Sequence, residues 1–166
     1  GSKSTAVGQG GPLSEEFLRL VVMTFGAVMG TMTILWAISI ALRDSSIADI
    51  FWGTGLTAIA WFAAAFSAGI DSRRTLLLVL VSLWGLRLTA YILWRNWGKE
   101  DPRYARFREH VESQGRNFAW HSLKHVYWLQ GALMWVVGLV LVFIVSAATP
   151  AQIGLLGWSG VAAWII

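Results

Sequence analysis

A single arginine interrupts one of the apolar runs of this sequence. Arg87 lies within residues 75–94, which are otherwise without charge. A charged side chain in bilayer hydrocarbon is costly, so it usually faces a bundle interior or a wet cavity and has a polar partner. Trp84, Tyr91 and Trp94 recur at three- and four-residue spacing on the same helical face. We therefore predict that this face lines a polar, aromatic cavity, although a structural ion pair between helices would explain Arg87 equally well.

An aspartate lies near the start of the preceding apolar run. Ser46 and Asp49 have the Ser-x-x-Asp spacing of a capping pattern, and the helix dipole stabilises a carboxylate in the first turn of a helix. Asp49 is therefore interpreted first as a capping residue. The alternative is that Asp49 is the partner of Arg87 or Arg95, close to a cofactor. The two roles are compatible, and the local pattern favours capping.

The polar stretch 95–125 contains another helix start. Asp101 followed by Pro102 has the pattern of an N-cap with proline at the first helical position. The helix that follows is amphipathic and ends at Gly115. Its apolar face carries Tyr104, Phe107 and Val111, and its other face carries Arg103, Arg106 and Arg108. We expect it to lie on the lipid headgroups, where its arginines bind lipid or the phosphates of a nucleotide; composition alone favours lipid.

Three further polar side chains belong to the last long apolar segment. Gln130 is an amide within hydrocarbon, so it either bonds helices together or orients a polar group of a substrate. His121 and His125 are four residues apart, which is a spacing that can ligate zinc. The sequence has no cysteine and places no third ligand nearby, so we predict no metal site and interpret the histidines as interfacial anchors.

The elements that position these residues are membrane spans. Hydrophobic residues make up 56% of the chain and charged residues 13%, whereas soluble domains carry about 25% charge. Four apolar runs are long enough to cross a bilayer: residues 20–42, 47–70, 75–94 and 126–148. A fifth run begins near residue 153. The sequence thus predicts an all-α, polytopic transmembrane bundle over residues 14–166, with four full spans plus the start of a fifth, and a tail or cloning remnant over residues 1–13.

The distribution of basic residues predicts the orientation. Eight lysines and arginines fall on the side of the 95–125 loop and four on the other side, so the loop is expected in the cytoplasm and the N-terminus outside, in a bacterial inner membrane. The basic residues do not form a nucleic-acid face, and we expect membrane lipid as the partner. Gly26 and Gly30 form a small-xxx-small pattern that would admit a partner helix, although chance explains that pattern equally well.

Four motifs together give a family resemblance. They are Ser46-Ile-Ala-Asp-Ile-Phe-Trp-Gly53, Leu83-Trp-Gly-Leu-Arg-Leu88, Gly98-Lys-Glu-Asp-Pro-Arg-Tyr104 and Leu129-Gln-Gly131. In this order the chain resembles the bacterial steroid 5-alpha-reductase-like integral membrane proteins, a group filed as an uncharacterised domain. The resemblance implies a seven-helix fold with a cytosolic NADPH site and reduction of a conjugated enone in a lipid-like or steroid-like substrate. The Gly-Leu-Trp and Arg-His-Pro-Asn region of that family does not occur in this sequence, so the match covers the front portion only.

The resemblance also implies site residues. An acid and a tyrosine on the second and third helices of related reductases polarise the substrate carbonyl, and Asp49 and Tyr91 are the nearest candidates for catalysis. The expected substrate contacts are Trp52, Trp84, Arg87 and Gln130. The expected cofactor contacts are Arg95, Asp101, Arg103 and Tyr104, and Glu100 also matches the family pattern. Two alternatives stay open: a non-enzymatic membrane module that binds lipid or docks onto a larger complex, and a membrane methyltransferase.

Overall fold

The computed structural model describes residues 15–67, 71–147 and 152–165, and these residues form helices and no strand. The α-helices are α1 (Glu15–Leu42), α2 (Ile47–Phe66), α3 (Ser72–Arg95), α4 (Pro102–Ser113), α5 (Phe118–Ser122), α6 (Leu129–Ser146) and α7 (Leu155–Ile165). A π-helical segment, Leu123–Trp128, joins α5 to α6 without a break.

Four of these helical stretches are long and apolar enough to cross a membrane. They are α1, α2, α3 and the continuous stretch Phe118–Ser146, so the predicted all-α bundle with four spans is confirmed. The fourth stretch begins at 118 rather than 126 because the Asn117 side chain caps its N-terminus by accepting from the Trp120 backbone N–H. The start of a fifth span corresponds to α7, which is eleven residues long. The tail over 1–13, the end of the second run at residue 70 and the break at Pro150 lie outside the described residues.

Helix α2 is the centre of the bundle. It packs against α1, α3 and α6, and the buried core lies mainly where α1, α2 and the fourth span meet. Met32, Ile59, Ala60 and Met134 are nearly or fully buried there. Helix α3 contacts α2 along its length but touches α6 little, so α2 forms the floor of a cleft between α3 and α6.

Two glycines set the approach of α2 to α3. A Cβ atom on Gly53 would overlap the carbonyl oxygen of Gly85, and one on Gly85 would overlap the Thr57 hydroxyl. Close backbone approach through small residues is how membrane helices gain packing and interhelical hydrogen bonds. Thr89 of α3 uses this proximity: its hydroxyl donates to the Ile50 carbonyl at 2.9 Å and accepts from the backbone N–H of Thr54 at 3.0 Å. The Thr89 hydroxyl therefore bonds to both partners of one backbone hydrogen bond of α2, the Thr54 N–H and the Ile50 carbonyl.

Two arginines of α3 bind backbone carbonyls at the C-terminal end of the fourth span. Arg73 Nη2 donates to the carbonyls of Ile144 at 3.0 Å and Ala147 at 2.7 Å, and Arg74 Nη2 donates to Ala147 at 3.3 Å. The last carbonyls of a helix lack partners within it, and the helix dipole favours a cation at that end. These two arginines therefore have a structural role opposite the loop end of the bundle.

Replacing Arg73 with methionine is expected to lower the free energy of unfolding by about 1–2 kcal/mol, because two carbonyls lose a charged donor while the aliphatic packing stays. Thermal unfolding of the purified protein in detergent, followed by circular dichroism, measures this change. Arg19→Met, at an exposed position on the same end of the bundle, is the matched control. Equal shifts for both variants would contradict the capping role.

Candidate functional site at the loop end of the bundle

Asp49 is the meeting point of three helices. Its Oδ1 accepts from the Tyr104 hydroxyl at 2.7 Å and from Gln130 Nε2 at 3.3 Å, and its Oδ2 accepts from Arg103 Nη2 at 2.7 Å. Asp49 is in the first turn of α2, Arg103 and Tyr104 are in the first turn of α4, and Gln130 is in the first turn of α6. One carboxylate therefore connects the loop helix to two spans.

The amide of Gln130 completes this arrangement. Its Nε2 also donates to the Tyr104 hydroxyl oxygen at 2.8 Å, and its Oε1 accepts from the indole N–H of Trp52 at 2.9 Å. An amide in an apolar bundle is stable only when its donors and acceptors are satisfied. We refer to Asp49, Trp52, Arg103, Tyr104 and Gln130 as the Asp49 cluster.

Asp101 supports the Asp49 cluster from the loop. Its carboxylate caps α4 by accepting from the Arg103 N–H at 2.9 Å, and it also accepts from the Arg103 side chain at 3.0 Å and from Arg95 Nη2 at 3.4 Å. The hydrogen bonds from Arg103 lower the pKa of Asp101 to about 2, and the same contact raises the pKa of Arg103. Arg103 is thereby held between the carboxylates of Asp49 and Asp101.

Tyr104 is the buried proton donor of the cluster. Its residue surface is only 9% exposed. Burial, and secondly the hydrogen bond to the Asp49 carboxylate, raises the pKa of Tyr104 above its usual value of about 10. The hydroxyl therefore keeps its proton throughout the physiological range of pH.

The loop before α4 is fastened to the turn between α1 and α2. Glu100 Oε1 accepts from the Ser45 N–H and from Arg108 Nη2, both at 2.8 Å, and the Asp101 N–H donates to the Ser46 hydroxyl at 2.6 Å. Arg108 also donates to the Arg43 carbonyl at 3.0 Å. These contacts hold α4 across the loop end of the bundle, where Arg103 and Tyr104 reach Asp49.

Arg108→Met is expected to weaken the contacts between the loop and the turn that joins α1 to α2, without changing the packing of the membrane spans. Arg108 also lies over the ring of Phe118, with Cζ 4.3 Å from the ring centroid, so its loss removes a partly buried ion pair, a carbonyl contact and a cation–π contact. We expect a loss of about 1–3 kcal/mol, and amide hydrogen exchange in residues 102–113 at least about tenfold faster. Hydrogen exchange with mass spectrometry measures this, with Arg106→Met, an exposed neighbour, as control. Unchanged exchange in the Arg108 variant would contradict the fastening.

The structure corrects the interpretation of Asp49 as a capping residue. Ser46 has helical backbone angles and forms no side-chain cap, because its hydroxyl is bonded to the Asp101 N–H. The alternative partner was also misidentified, since Asp49 binds Arg103 and not Arg87 or Arg95. The reason is the folded-back loop, which places the first turn of α4 directly over the first turn of α2.

The expectation that Arg87 faces the bundle interior is wrong for the described residues. Arg87 is exposed, and within 15–67, 71–147 and 152–165 no ion pair or hydrogen bond joins it to another residue. Helix α3 buries its Gly85 face against α2, and two further residues rotate a helix by about 200°. Trp84 is 39% exposed and lines an apolar cleft, whereas Tyr91 is 55% exposed and its ring lies beside that of Trp94.

An apolar cleft lies between α3 and α6. Its volume is about 310 Å³, and it is lined by Leu56, Val81, Trp84, Val137, Val140 and Leu141. Leu56 follows Trp52 by one turn on α2, and Val137 follows Gln130 by two turns on α6, which is about 10 Å along the helix. The polar side chains of Trp52 and Gln130 thus lie on the cleft faces, nearer the loop end.

The sequence had named every member of the Asp49 cluster, but in different roles. Trp52 and Gln130 were expected to contact substrate and prove to be bonded to each other, and Tyr104 was expected at a cofactor mouth but is buried against Asp49. The fastening by Ser45, Ser46 and Arg108 was not foreseen. The π-helical segment before Gln130 was also missed; such segments are frequent at functional sites.

Comparison with known proteins gives one match. Neither the curated proteins nor the solved structures searched match this chain. The family model described as "Protein of unknown function (DUF1295)" matches residues 35–166, a range that contains all of the Asp49 cluster and its loop supports. That match covers far more than half of the sequence, so the chain belongs to DUF1295, a family of uncharacterised membrane proteins.

Proposed function

We propose that this chain is the front portion of an NADPH-dependent integral membrane reductase that acts on the conjugated enone of a lipid-like or steroid-like substrate. The resemblance of the four sequence motifs supports the reaction class. The observation that carries the proposal is the hydrogen-bonded acid–tyrosine pair, Asp49 and Tyr104, 2.7 Å apart at the loop end of the bundle. An apolar cleft lies one to two helical turns farther along α2 and α6.

The chemistry of the pair suits a developing enolate. Saturation of a conjugated double bond requires a hydride at the carbon β to the carbonyl and a proton at the α carbon; NADPH supplies the hydride when bound, and water would supply the proton. Negative charge then grows on the carbonyl oxygen, where positioned donors stabilise it. In this proposal the Tyr104 O–H, which donates to Asp49 in the structure, turns to donate to that oxygen, and the Gln130 amide, which donates to Asp49 and Tyr104, turns to supply a second N–H. We therefore assign to Tyr104 the role that the resemblance gives to Tyr91.

The exposed arginines beside the pair fit a phosphate-bearing cofactor. The side chain of Arg103 is 60% exposed and that of Arg95 is 45% exposed, so both guanidinium groups are open to an anion while Asp101 orients them. Guanidinium groups bind phosphate in a bidentate manner. In this proposal Arg95 and Arg103 contact the cofactor, and Asp101 positions them.

The cleft fits the apolar part of a substrate. Its described lining is entirely aliphatic and aromatic, and the indole and amide of Trp52 and Gln130 lie nearer the loop end. A molecule with an apolar body and one carbonyl would bury its body in the cleft and direct the oxygen towards Tyr104. The cleft lies between two membrane spans, so in this proposal such a molecule would enter from the membrane.

The proposed orientation places this site in the cytoplasm, where NADPH is available. Eight lysines and arginines lie on the loop side and four on the other. Two of those four, Arg73 and Arg74, are bound to carbonyls at the end of the fourth span, which gives a structural reason for their position. The N-terminus would then be outside a bacterial inner membrane.

Binding of NADPH tests the proposal. The protein encoded by the complete reading frame, in lipid nanodiscs, is expected to enhance NADPH fluorescence. Arg103→Ala is expected to weaken binding at least about tenfold, because a charge-assisted phosphate contact is lost. Arg106→Ala, an exposed arginine of the same helix, is the matched control. Wild-type protein that binds no NADPH would overturn the proposal, and binding of S-adenosylmethionine in its place would identify a methyltransferase.

A second candidate is a membrane module that docks onto a larger complex. Gly26 and Gly30 are exposed on α1, and a Cβ atom on either would meet nothing within 4 Å. The small-residue face is therefore open to another helix. Purification of a defined partner that Gly30→Ile releases, together with no bound nucleotide, would favour this function over the reductase.

A further inference from the structure

We infer that His121 and His125 form a two-imidazole binding site for a divalent transition-metal ion at the loop end of the fourth span. The pair belongs to α5 and the π-helical segment, and neither histidine contacts the Asp49 cluster. The inference is independent of the proposed reductase function.

The spacing of the two rings matches a shared ion. Their centroids are 5.5 Å apart, with an angle of 19° between the ring planes. A zinc–nitrogen bond of about 2.1 Å places each ring centre about 3.2 Å from the ion, so two imidazoles on one tetrahedral ion have centroids about 5 Å apart. The observed separation of the ring centres is close to this value, and the rings must still turn out of their stacked arrangement to direct both Nε2 atoms at one ion.

The backbone fixes which nitrogen of each ring is free. His121 Nδ1 lies 3.3 Å from the Asn117 carbonyl oxygen, and His125 Nδ1 lies 3.1 Å from the His121 carbonyl oxygen. A carbonyl only accepts hydrogen bonds, so the hydrogen of each neutral ring is on Nδ1 and the lone pair is on Nε2. The same outer contact orients histidines that bind metals. In the described part of the chain, no residue hydrogen-bonds either Nε2.

The neighbouring lysine is held by another partner. Lys124 Nζ lies 4.3 Å from the ring centroid of Trp120, in a cation–π contact on the turn before it. This contact orients the ammonium group towards Trp120, and His125 remains exposed. The approach of an ion to the imidazole pair is therefore open to solvent.

The site is expected to be weak and to prefer ions with high affinity for imidazole. Among the described residues there is no group of three or more histidines, aspartates or glutamates that could hold an ion. Two imidazoles would therefore supply the protein ligands, and water would fill the other positions. Affinity should follow the general order in which copper exceeds nickel and zinc. The sequence-based prediction of no metal site assumed that a third ligand is required.

Titration of the tag-free protein with Zn²⁺ and Cu²⁺ tests the inference. We expect one ion per chain, and either His121→Ala or His125→Ala alone should weaken binding at least about tenfold, since a chelate needs both rings. His110→Ala is the matched control, because that ring is on α4 and bonded to Gln114. Electron paramagnetic resonance of the wild-type Cu²⁺ complex should show two imidazole nitrogens, a result that needs no variant. One nitrogen, or two single variants that bind as wild type, would overturn the inference.

Discussion

Tyr104→Phe is expected to reduce enone reduction by about 10²-fold or more while NADPH binding stays near the wild-type value. The substitution removes one oxygen, which is the proton donor that the proposed function directs at the substrate carbonyl. It leaves Arg95, Arg103 and Asp101 in place, so the phosphate contacts are unchanged. A turnover assay in nanodiscs and a separate NADPH titration distinguish the two effects.

The loss of that hydroxyl also has a structural cost. Asp49 and Gln130 each lose a hydrogen bond in a partly buried place, which we expect to cost about 1–2 kcal/mol of stability. A merely structural tyrosine would therefore lower the unfolding temperature without changing the turnover of the folded fraction. Activity normalised to folded protein separates that outcome from the catalytic one.

Tyr91→Phe is the matched control, because the family resemblance pointed to Tyr91. That side chain is 55% exposed on α3 and belongs to a face without contact to Asp49. We expect its turnover to match the wild type. Loss of activity in the Tyr91 variant together with retention in the Tyr104 variant would place the reaction on the exposed face of α3 and refute our assignment.

Local signals in the sequence predicted local structure well. Apolar runs gave the four spans, since a bilayer imposes length and composition on any helix that crosses it. The start of α4 was predicted to the residue, because Asp101 and Pro102 are an N-cap and first-turn pair whose effect does not depend on the rest of the fold.

The site depended on contacts that are distant in the sequence. Asp49 meets Tyr104 across 55 positions and Gln130 across 81, and both contacts require the loop to fold back onto the turn between α1 and α2. The fastening by Glu100 and Arg108 that achieves this has no local pattern. Residue type could therefore single out the members of the Asp49 cluster, but not which of them meet.

The error at Arg87 has a different origin. We expected the cost of a charge in hydrocarbon to decide which face of α3 is buried. Steric fit decided it instead: Gly85 and Thr89 allow the backbones of α2 and α3 to approach and bond, and this approach turns Arg87 outward. In a membrane, where both helix faces are apolar, small residues determine the contact face more strongly than polarity does.

Gly53→Ala is accordingly expected to have the largest effect on stability. The added methyl group would overlap the backbone carbonyl of Gly85, and backbone atoms cannot rotate away as a side chain can. We expect a loss of about 3 kcal/mol or more, because α2 and α3 must separate and Thr89 then leaves the Ile50 carbonyl and the Thr54 N–H. Thermal unfolding in detergent and the yield of folded monomer measure this effect.

Gly26→Ala and Gly131→Ala are the matched comparisons for Gly53→Ala, since all three substitutions add the same methyl group to a helix. Gly26→Ala meets nothing within 4 Å, so the gain in helix propensity should stabilise the protein slightly, by up to about 1 kcal/mol. Gly131→Ala meets the side chains of Met32 at 3.0 Å and Met29 at 3.2 Å, which are flexible, so we expect a small loss between the two extremes. The order Gly26, Gly131, Gly53 from least to most damaging tests whether backbone contact governs the α2–α3 interface. A Gly53 variant as stable as the Gly131 variant would mean that α3 can shift on α2, and the cleft between α3 and α6 would then have no fixed wall.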